Sequence, residues 1–149
     1  MLSYAHGASD QPLLGETIGQ NLERTVARYP DAEALVCPKQ GLRYTYAEFD
    51  QAVNRLAGSM LAAGLRKGDR VGVWGPNRAE WTITQYATAM IGAILVNINP
   101  AYRTHELAFA LNQSRVRLLI SATDFKTSQL PRTAAGSSAV QTWTEHVAT

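Results

Sequence analysis

The chain has 149 residues, of which 46% are hydrophobic and 17% are charged, and its formal net charge at pH 7 is +2. This composition is typical of a soluble globular domain, and so small a charge argues against nucleic acid or an acidic membrane surface as a partner. The single cysteine, Cys37, excludes an intramolecular disulfide and a multi-cysteine metal site, and we expect it to be an apolar core side chain.

The sequence predicts neither a signal peptide nor a membrane-spanning helix. Residues 1–11 lack the basic start and the apolar stretch of a signal peptide. The most apolar segment, residues 89–96, is much shorter than the roughly 20 residues of a membrane helix. We therefore expect a cytoplasmic protein without a transmembrane segment.

The first part of the chain predicts a loose leader, a helix and a hairpin. Residues 1–16 form the leader. Ile18, Leu22, Val26 and Tyr29 recur at helical spacing, which predicts an amphipathic helix over residues 17–29. Residues 34–37 and 42–45 flank a turn that contains Gly41, which predicts two short antiparallel strands.

The next helix is the best specified. Thr45 and Glu48 have the spacing of a capping box. Gly64 supplies a left-handed residue after the helix, and Leu65 can make the closing contact. The apolar face of the helix comprises Phe49, Val53, Leu56 and Met60.

Residues 68–122 alternate between strand and helix. We predict strands at residues 70–74, 94–98 and 116–121, and helices at residues 81–91 and 104–112, the first capped by the segment Asn77–Glu80 and the second by Thr104. The run 94–98 shows no apolar alternation, which indicates a strand covered on both faces. The fold class is therefore α/β, a partial three-layer domain with a short N-terminal hairpin and a parallel βαβαβ sheet.

A sheet of this kind places its ligand crevice beyond the carboxyl ends of its strands, here residues 75–77, 97–100 and 121–124. The amides of Asn97 and Asn99 could donate to a ligand there. We favour the alternative that they satisfy loop backbone and, with Pro100, end the strand.

Known catalytic and cofactor-binding motifs are absent or incomplete. No phosphate loop, dinucleotide fingerprint or nucleophile elbow is present in the sequence. His105 and Glu106 begin like a zinc-protease helix, but Phe109 holds the second histidine position, so we expect His105 to be solvated. Trp74 and Trp81 are predicted to pack in or beside the core. No catalytic, cofactor-binding or metal-ligating residue is predicted.

Residues 17–126 resemble the N-terminal part of AMP-forming acyl-CoA synthetases, members of the adenylate-forming ligase superfamily. The resemblance lies in the segments 42–49, 68–71, 77–81 and, most specifically, 92–107. It implies the N-terminal subdomain of that superfamily, an adenylation domain. The family converts a carboxylate, ATP and coenzyme A to an acyl-CoA through an acyl-adenylate, with Mg²⁺.

The matched motifs are architectural in that family. Its phosphate loop, its adenine and Mg²⁺ motifs, its ribose-binding aspartate and its C-terminal lysine all follow Lys126. The resemblance thus implies ATP, Mg²⁺ and coenzyme A for full-length relatives, but no cofactor for this chain, which we expect to be inactive alone. Residues 127–149 are an irregular Thr/Ser/Ala-rich tail, and we hypothesise a frameshift or premature stop after Lys126.

Three readings of the function stay open. The first is a truncated acyl-CoA ligase with an unpaired sheet edge, through which it would self-associate. The second is a self-standing α/β module that binds a ligand or a protein. The third, a flavodoxin-like redox domain, is weakened by the missing phosphate loop.

Overall fold

The computed structural model describes Gly7 and residues 10–122, so the predicted tail and part of the predicted leader lie outside the described residues. The elements in chain order are α1 (Ile18–Arg28), β1 (Glu33–Cys37), a 3₁₀ turn (Pro38–Gln40), β2 (Leu42–Thr45), α2 (Tyr46–Ala62), β3 (Arg70–Trp74), α3 (Ala79–Ile91), β4 (Ile94–Ile98), α4 (Thr104–Ser114) and β5 (Val116–Ser121). This order confirms the predicted α/β fold.

The strands form two sheets. β1 and β2 make the predicted antiparallel hairpin, and Gly41 closes its turn with a left-handed φ of 67°. β3 lies between β4 and β5, and all three are parallel. The pairs Trp74–Ile98 and Trp74–Ser121 bring the carboxyl ends of the three strands to one edge of the sheet.

Helices cover the two faces of the parallel sheet. On one face α1, α2 and α3 enclose a core with the sheet residues Val71 and Leu118. On the other face α4 packs through Leu107 and Leu111 onto a smaller core that includes Trp74. The result is three layers, because residues 71 and 74 of β3 point to opposite faces.

The predicted ends of α2 are confirmed. The Thr45 hydroxyl accepts from the Glu48 amide at 3.2 Å, and Glu48 Oε2 accepts from the Thr45 amide at 2.8 Å. Gly64 has a φ of 88°, and Leu65 is buried while its amide donates to the Met60 carbonyl. The four residues predicted to form the apolar face are all buried.

The predicted cap of α4, Thr104, is wrong, and the predicted cap segment of α3, Asn77–Glu80, contains the N-cap residue but not the side chain that caps the helix. The N-cap of α3 is Arg78 without a capping side chain of its own, and Gln40 Oε1 in the hairpin turn accepts from the Ala79 amide at 2.7 Å. The N-cap of α4 is Arg103, whose amide donates to Glu106 Oε2. A local sequence window does not contain a partner such as Gln40, which lies 39 residues away.

Three burial predictions also need correction. β4 is at the edge of the described parallel strands and is not covered on both faces, since Ile94 is 51% exposed. Ile18 of α1 and Tyr29 directly after it are exposed, whereas Leu22 is buried in the core and Gly19 lies against Met90 of α3. Cys37 is only half-buried, and its thiol donates to Gln40 Oε1 at 3.0 Å.

Candidate functional site

The strand connections mark a candidate crevice at the carboxyl edge of the sheet, between β3 and β4. The chain leaves β3 toward α3 on one face and leaves β4 toward α4 on the other face. Neighbouring parallel strands whose connections diverge in this way define the usual ligand position of an open α/β sheet. The loop Gly75–Arg78 forms one wall of the crevice and the loop Asn99–Arg103 forms the other.

Trp74 forms the base of this crevice. Its side chain is fully buried, and its indole Nε1 donates to the Asn99 carbonyl at 3.1 Å, which joins the end of β3 to the loop after β4. On the other side, the Ala122 amide donates to the Trp74 carbonyl at 3.1 Å. A Cβ at Gly75 would lie 3.0 Å from the Ala122 Cβ and 3.3 Å from the Ala122 amide nitrogen, so a side chain at this position would crowd the residue that follows β5.

The polar groups of Asn99, in the loop after β4, are bonded to neighbouring protein groups. Asn99 Oδ1 accepts from the Ala101 amide at 2.9 Å, and the Asn99 carbonyl accepts from the Tyr102 amide as well as from Trp74. This agrees with the interpretation of Asn99 as a loop-forming residue. The side chain of Asn97 on β4 is exposed, whereas that of the next residue, Ile98, is buried.

The β3 wall is held by the hairpin turn. Gln40 Nε2 donates to both carboxylate oxygens of Glu80, at 2.9 and 3.1 Å, while Gln40 Oε1 accepts from the Ala79 amide. Burial by itself would raise the pKa of Glu80, but the hydrogen bonds from Gln40 and from the backbone, together with Arg78, outweigh it and lower that pKa. The first turn of α3 is therefore occupied by protein groups.

Two arginines that the sequence analysis did not single out lie on the crevice walls, Arg78 after β3 and Arg103 before α4. Both are exposed. Arg78 Nε lies 3.4 Å from Glu80 Oε2, a loose pair at the surface. Their position in the loops that follow β3 and β4 was the signal that could have identified them.

Ser121, at the end of β5, is 8% exposed, and its hydroxyl has no hydrogen-bond partner among the described residues. It shares a face of the sheet with Trp74, to which it is paired in register. Asp50 Oδ1 in α2 is buried and likewise lacks a partner within the described part. Buried polar atoms of this kind are uncommon in folded proteins.

The described residues do not fit ATP or Mg²⁺. Within residues 10–122 no three His, Cys, Asp or Glu side chains are grouped as metal ligands. His105 is exposed, as predicted, whereas His6 and His146 lie outside the described residues. The Ala79 amide, which could hold a phosphate, is bonded to Gln40, and Arg78 is shared with Glu80.

The sequence matches the family model described as AMP-binding enzyme over residues 22–147. That span extends beyond Lys126 and includes most of the predicted irregular tail, and the departure of the tail from the family stays a prediction. Medium-chain acyl-CoA ligase ACSF2, mitochondrial, from Danio rerio is 50% identical over 124 residues, which are 83% of this chain and 20% of the relative. The chain thus spans about a fifth of the length of the curated relatives it matches.

Two solved structures share the fold. The N-terminal domain of FACL13 from Mycobacterium tuberculosis has a TM-score of 0.69 and 34% identity, covering 71% of this chain and 27% of its own. The N-terminal subdomain of NpsA from Klebsiella oxytoca, in complex with 3-hydroxyanthranilyl-AMSN, has a TM-score of 0.72 and 25% identity, covering 85% and 30%. Since the family model matches most of its length, this chain belongs to the AMP-binding enzyme family, among sequences similar to AMP-forming acyl-CoA synthetases.

Proposed function

We propose that this chain provides the opening scaffold of an adenylating domain, in an enzyme that activates a fatty or other carboxylic acid to an acyl-CoA through an acyl-adenylate. The observation that carries the proposal is the family match over residues 22–147. The printed name of the zebrafish relative, a medium-chain acyl-CoA ligase, supports the choice of reaction. ATP, Mg²⁺ and coenzyme A belong to the proposal for the whole enzyme.

We also propose that the chain alone is inactive. Adenylation needs amides or cations around a triphosphate, and a clamp on the charge that develops during the reaction. In the crevice, the groups closest to this chemistry are bonded to each other, as the contacts of Gln40 with Ala79 and Glu80 show. The contribution of the chain is to position the loops Gly75–Arg78 and Asn99–Arg103.

The first experiment measures ATP–pyrophosphate exchange by the purified chain, with octanoate as the probe acid. We expect no exchange above the blank without acid. Octanoate-dependent exchange by the chain alone would overturn the proposed inactivity.

The second experiment supplies the remaining polypeptide of the zebrafish relative, beginning after its matched segment, by co-production. We expect exchange to return. Gly75→Val should abolish the recovery because the side chain meets Ala122, whereas Gly58→Val should preserve it because nothing lies within 4 Å of that position. If the folded chain is not complemented, the scaffold proposal is wrong, and a monodisperse, cooperatively unfolding chain then supports the self-standing module.

Self-association through the sheet edge is a further proposal. β4 is an edge strand among the described strands, and Ile94 is half exposed on it. Gel filtration over a range of concentrations should show oligomers that Ile94→Lys reduces, while Leu14→Lys, at an exposed position before α1, should not. Equal behaviour of the two variants would contradict an association through β4.

A cytoplasmic location also stays a proposal. It rests on the composition of residues 1–11 and differs from the location in the printed name of the zebrafish relative. No helix within the described residues is long and apolar enough to span a bilayer. Fractionation of cells that produce the full chain tests the proposal, and recovery with an organelle fraction contradicts it.

A further inference from the structure

Five basic side chains gather at the amino edge of the parallel sheet, the end opposite the crevice. Two segments contribute them: residues 66–70 end at the first residue of β3, and residues 115–117 include the first two residues of β5. Because Arg70 pairs with Val116, these two segments lie side by side. We call this surface the basic edge, and its members are Arg66, Lys67, Arg70, Arg115 and Arg117. Arg115 and Arg117 are far from Arg66 and Lys67 in the sequence, and the pairing of β5 with β3 brings them together.

The two segments contain one carboxylate, that of Asp69. Asp69 Oδ2 accepts from the Arg66 amide at 2.7 Å and from Arg117 Nη1 at 2.8 Å, and these contacts, led by the backbone hydrogen bond, lower the pKa of Asp69. Arg70 donates instead to the carbonyls of Ser114 and Gly68. Five cations against one carboxylate leave an excess of four positive charges on this edge, in a chain whose formal net charge is only +2.

The backbone at the start of β5 turns two of these side chains outward. Arg117 has no pairing partner in β3, because Val116 pairs with Arg70 and Leu118 with Val71, so the register of the two strands shifts at Arg117. Among the described residues, Arg115 is the one non-glycine residue with a positive φ, which is 53°. Bulges and left-handed non-glycine residues commonly redirect side chains at functional positions. Arg66, Lys67, Arg115 and Arg117 are all exposed.

An apolar rim adjoins the basic edge. Leu61, in the last turn of α2, is 47% exposed, and the next two residues, both alanines, are exposed as well. This turn meets the basic edge directly, since the Cβ position of Gly64 is 3.8 Å from Arg117 Nη2 and the Gly64 amide donates to the Leu61 carbonyl. Cations and an exposed leucine therefore share one surface.

We propose that the basic edge is a docking surface for an anionic phospholipid bilayer, with Leu61 entering the headgroup region. A bilayer that carries acidic lipids attracts clustered Lys and Arg, and stable docking needs an apolar contact in addition. Single-stranded nucleic acid is recognised largely through stacking on aromatic rings, and none of the residues named at this edge is aromatic. Docking by the amino edge leaves the crevice at the opposite edge accessible, and the proposal does not depend on the function proposed above.

The test is flotation of the purified full chain with vesicles of phosphatidylcholine, with or without phosphatidylglycerol. We expect binding only to the mixed vesicles, and weaker binding at high salt because the charges are screened. Arg66→Glu with Lys67→Glu should reduce the partition coefficient at least about thirtyfold, since each cation near an acidic bilayer contributes about 1 kcal/mol. Leu61→Ser should reduce it by a few-fold.

The matched control is Arg28→Glu with Lys39→Glu, which makes the same charge change at the end of α1 and in the hairpin turn. We expect most of the binding to survive in this control. Should the first double variant fail to unfold cooperatively, Arg66→Gln with Lys67→Gln tests the same surface without charge reversal. Equal losses in control and test variants, no binding by the folded chain, or tighter binding to duplex DNA than to vesicles at the same salt would each overturn the proposal. So would displacement by inorganic phosphate at matched ionic strength.

Discussion

The two edges of the parallel sheet differ in whether their polar groups are bonded to other protein groups or face solvent. At the carboxyl edge, Trp74, Asn99 and Gln40 use their donors and acceptors on neighbouring protein groups. At the amino edge, the cations of residues 66–70 and 115–117 outnumber the carboxylate and most of them face solvent. The edge expected to hold the ligand is therefore, within the described residues, a framework, whereas the opposite edge has charge available for a partner.

The largest expected effect is at the carboxyl edge. Trp74→Ala should lower the free energy of unfolding by about 3–5 kcal/mol, because it removes a fully buried aromatic side chain. Trp74→Phe keeps most of the packing and loses the hydrogen bond to the Asn99 carbonyl, at a cost of about 1 kcal/mol. Urea unfolding measures both. Trp81 is half-buried, and Trp81→Ala is the control. If Trp74→Ala lowered the free energy of unfolding no more than Trp81→Ala did, the description of this edge as a packed framework would be contradicted.

The second prediction concerns the bridge from the hairpin turn to α3. Gln40→Ala should cost about 1–2 kcal/mol at pH 7, because the Ala79 amide and the Glu80 carboxylate both lose a partner. The pKa of Glu80 is lowered in the folded chain, so its ionised form adds stability that is present above its ordinary pKa of 4.5 and is lost as the pH falls through the folded value. The difference between the two chains should therefore shrink in acid.

Thermal unfolding between pH 3 and pH 7 measures that difference. Gln85→Ala, an exposed position on α3, is the control and should change stability little at any of these pH values. A difference between Gln40→Ala and the unaltered chain that grows in acid would contradict the role of Glu80.

At the amino edge, stability and binding should move in opposite directions. Arg115→Gly should stabilise the chain by about 1 kcal/mol, since glycine tolerates the positive φ at this position. The same change removes a cation, so vesicle binding should weaken about fivefold. Asn112→Gly, in the preceding helix, should instead destabilise by about 0.5–1 kcal/mol. If Arg115→Gly lowered the free energy of unfolding as well as vesicle binding, Arg115 would have a structural role. The contrast between the two edges would then be contradicted.

The smallest effect is expected for Asp69→Asn. The loss of the ion pair with Arg117 should lower the melting temperature slightly at neutral pH and less at high salt, because the pair is near the surface. The pKa of Asp69 is lowered in the folded chain, so this contribution is present above its ordinary pKa of 3.8 and is lost as the pH falls through the folded value. Vesicle flotation should improve, since one negative charge leaves the basic edge. Weaker flotation would contradict the electrostatic account.

Much of the fold was predictable because its signals are local. The capping box of Thr45 and Glu48, the left-handed Gly64 and the alternation of short apolar strands with helices each depend on residues within a few positions of one another. The predicted elements were therefore confirmed, and the motif segments also indicated the family. The same local reasoning looked for the cap of α3 within the segment Asn77–Glu80, and it placed Ile18 and Tyr29 on the apolar face of the first helix.

The tertiary structure decided what depends on distant partners. The order of the strands, with β3 in the centre, determines that the crevice opens between β3 and β4 and that β4 is an exposed edge. Gln40 caps a helix that begins far along the chain, and Arg115 and Arg117 join Arg66 and Lys67 only because β5 pairs with β3. Local sequence patterns carry the short-range energetics of caps, turns and faces, whereas charge clusters and crevices arise from contacts between segments far apart in the chain, which such patterns do not contain.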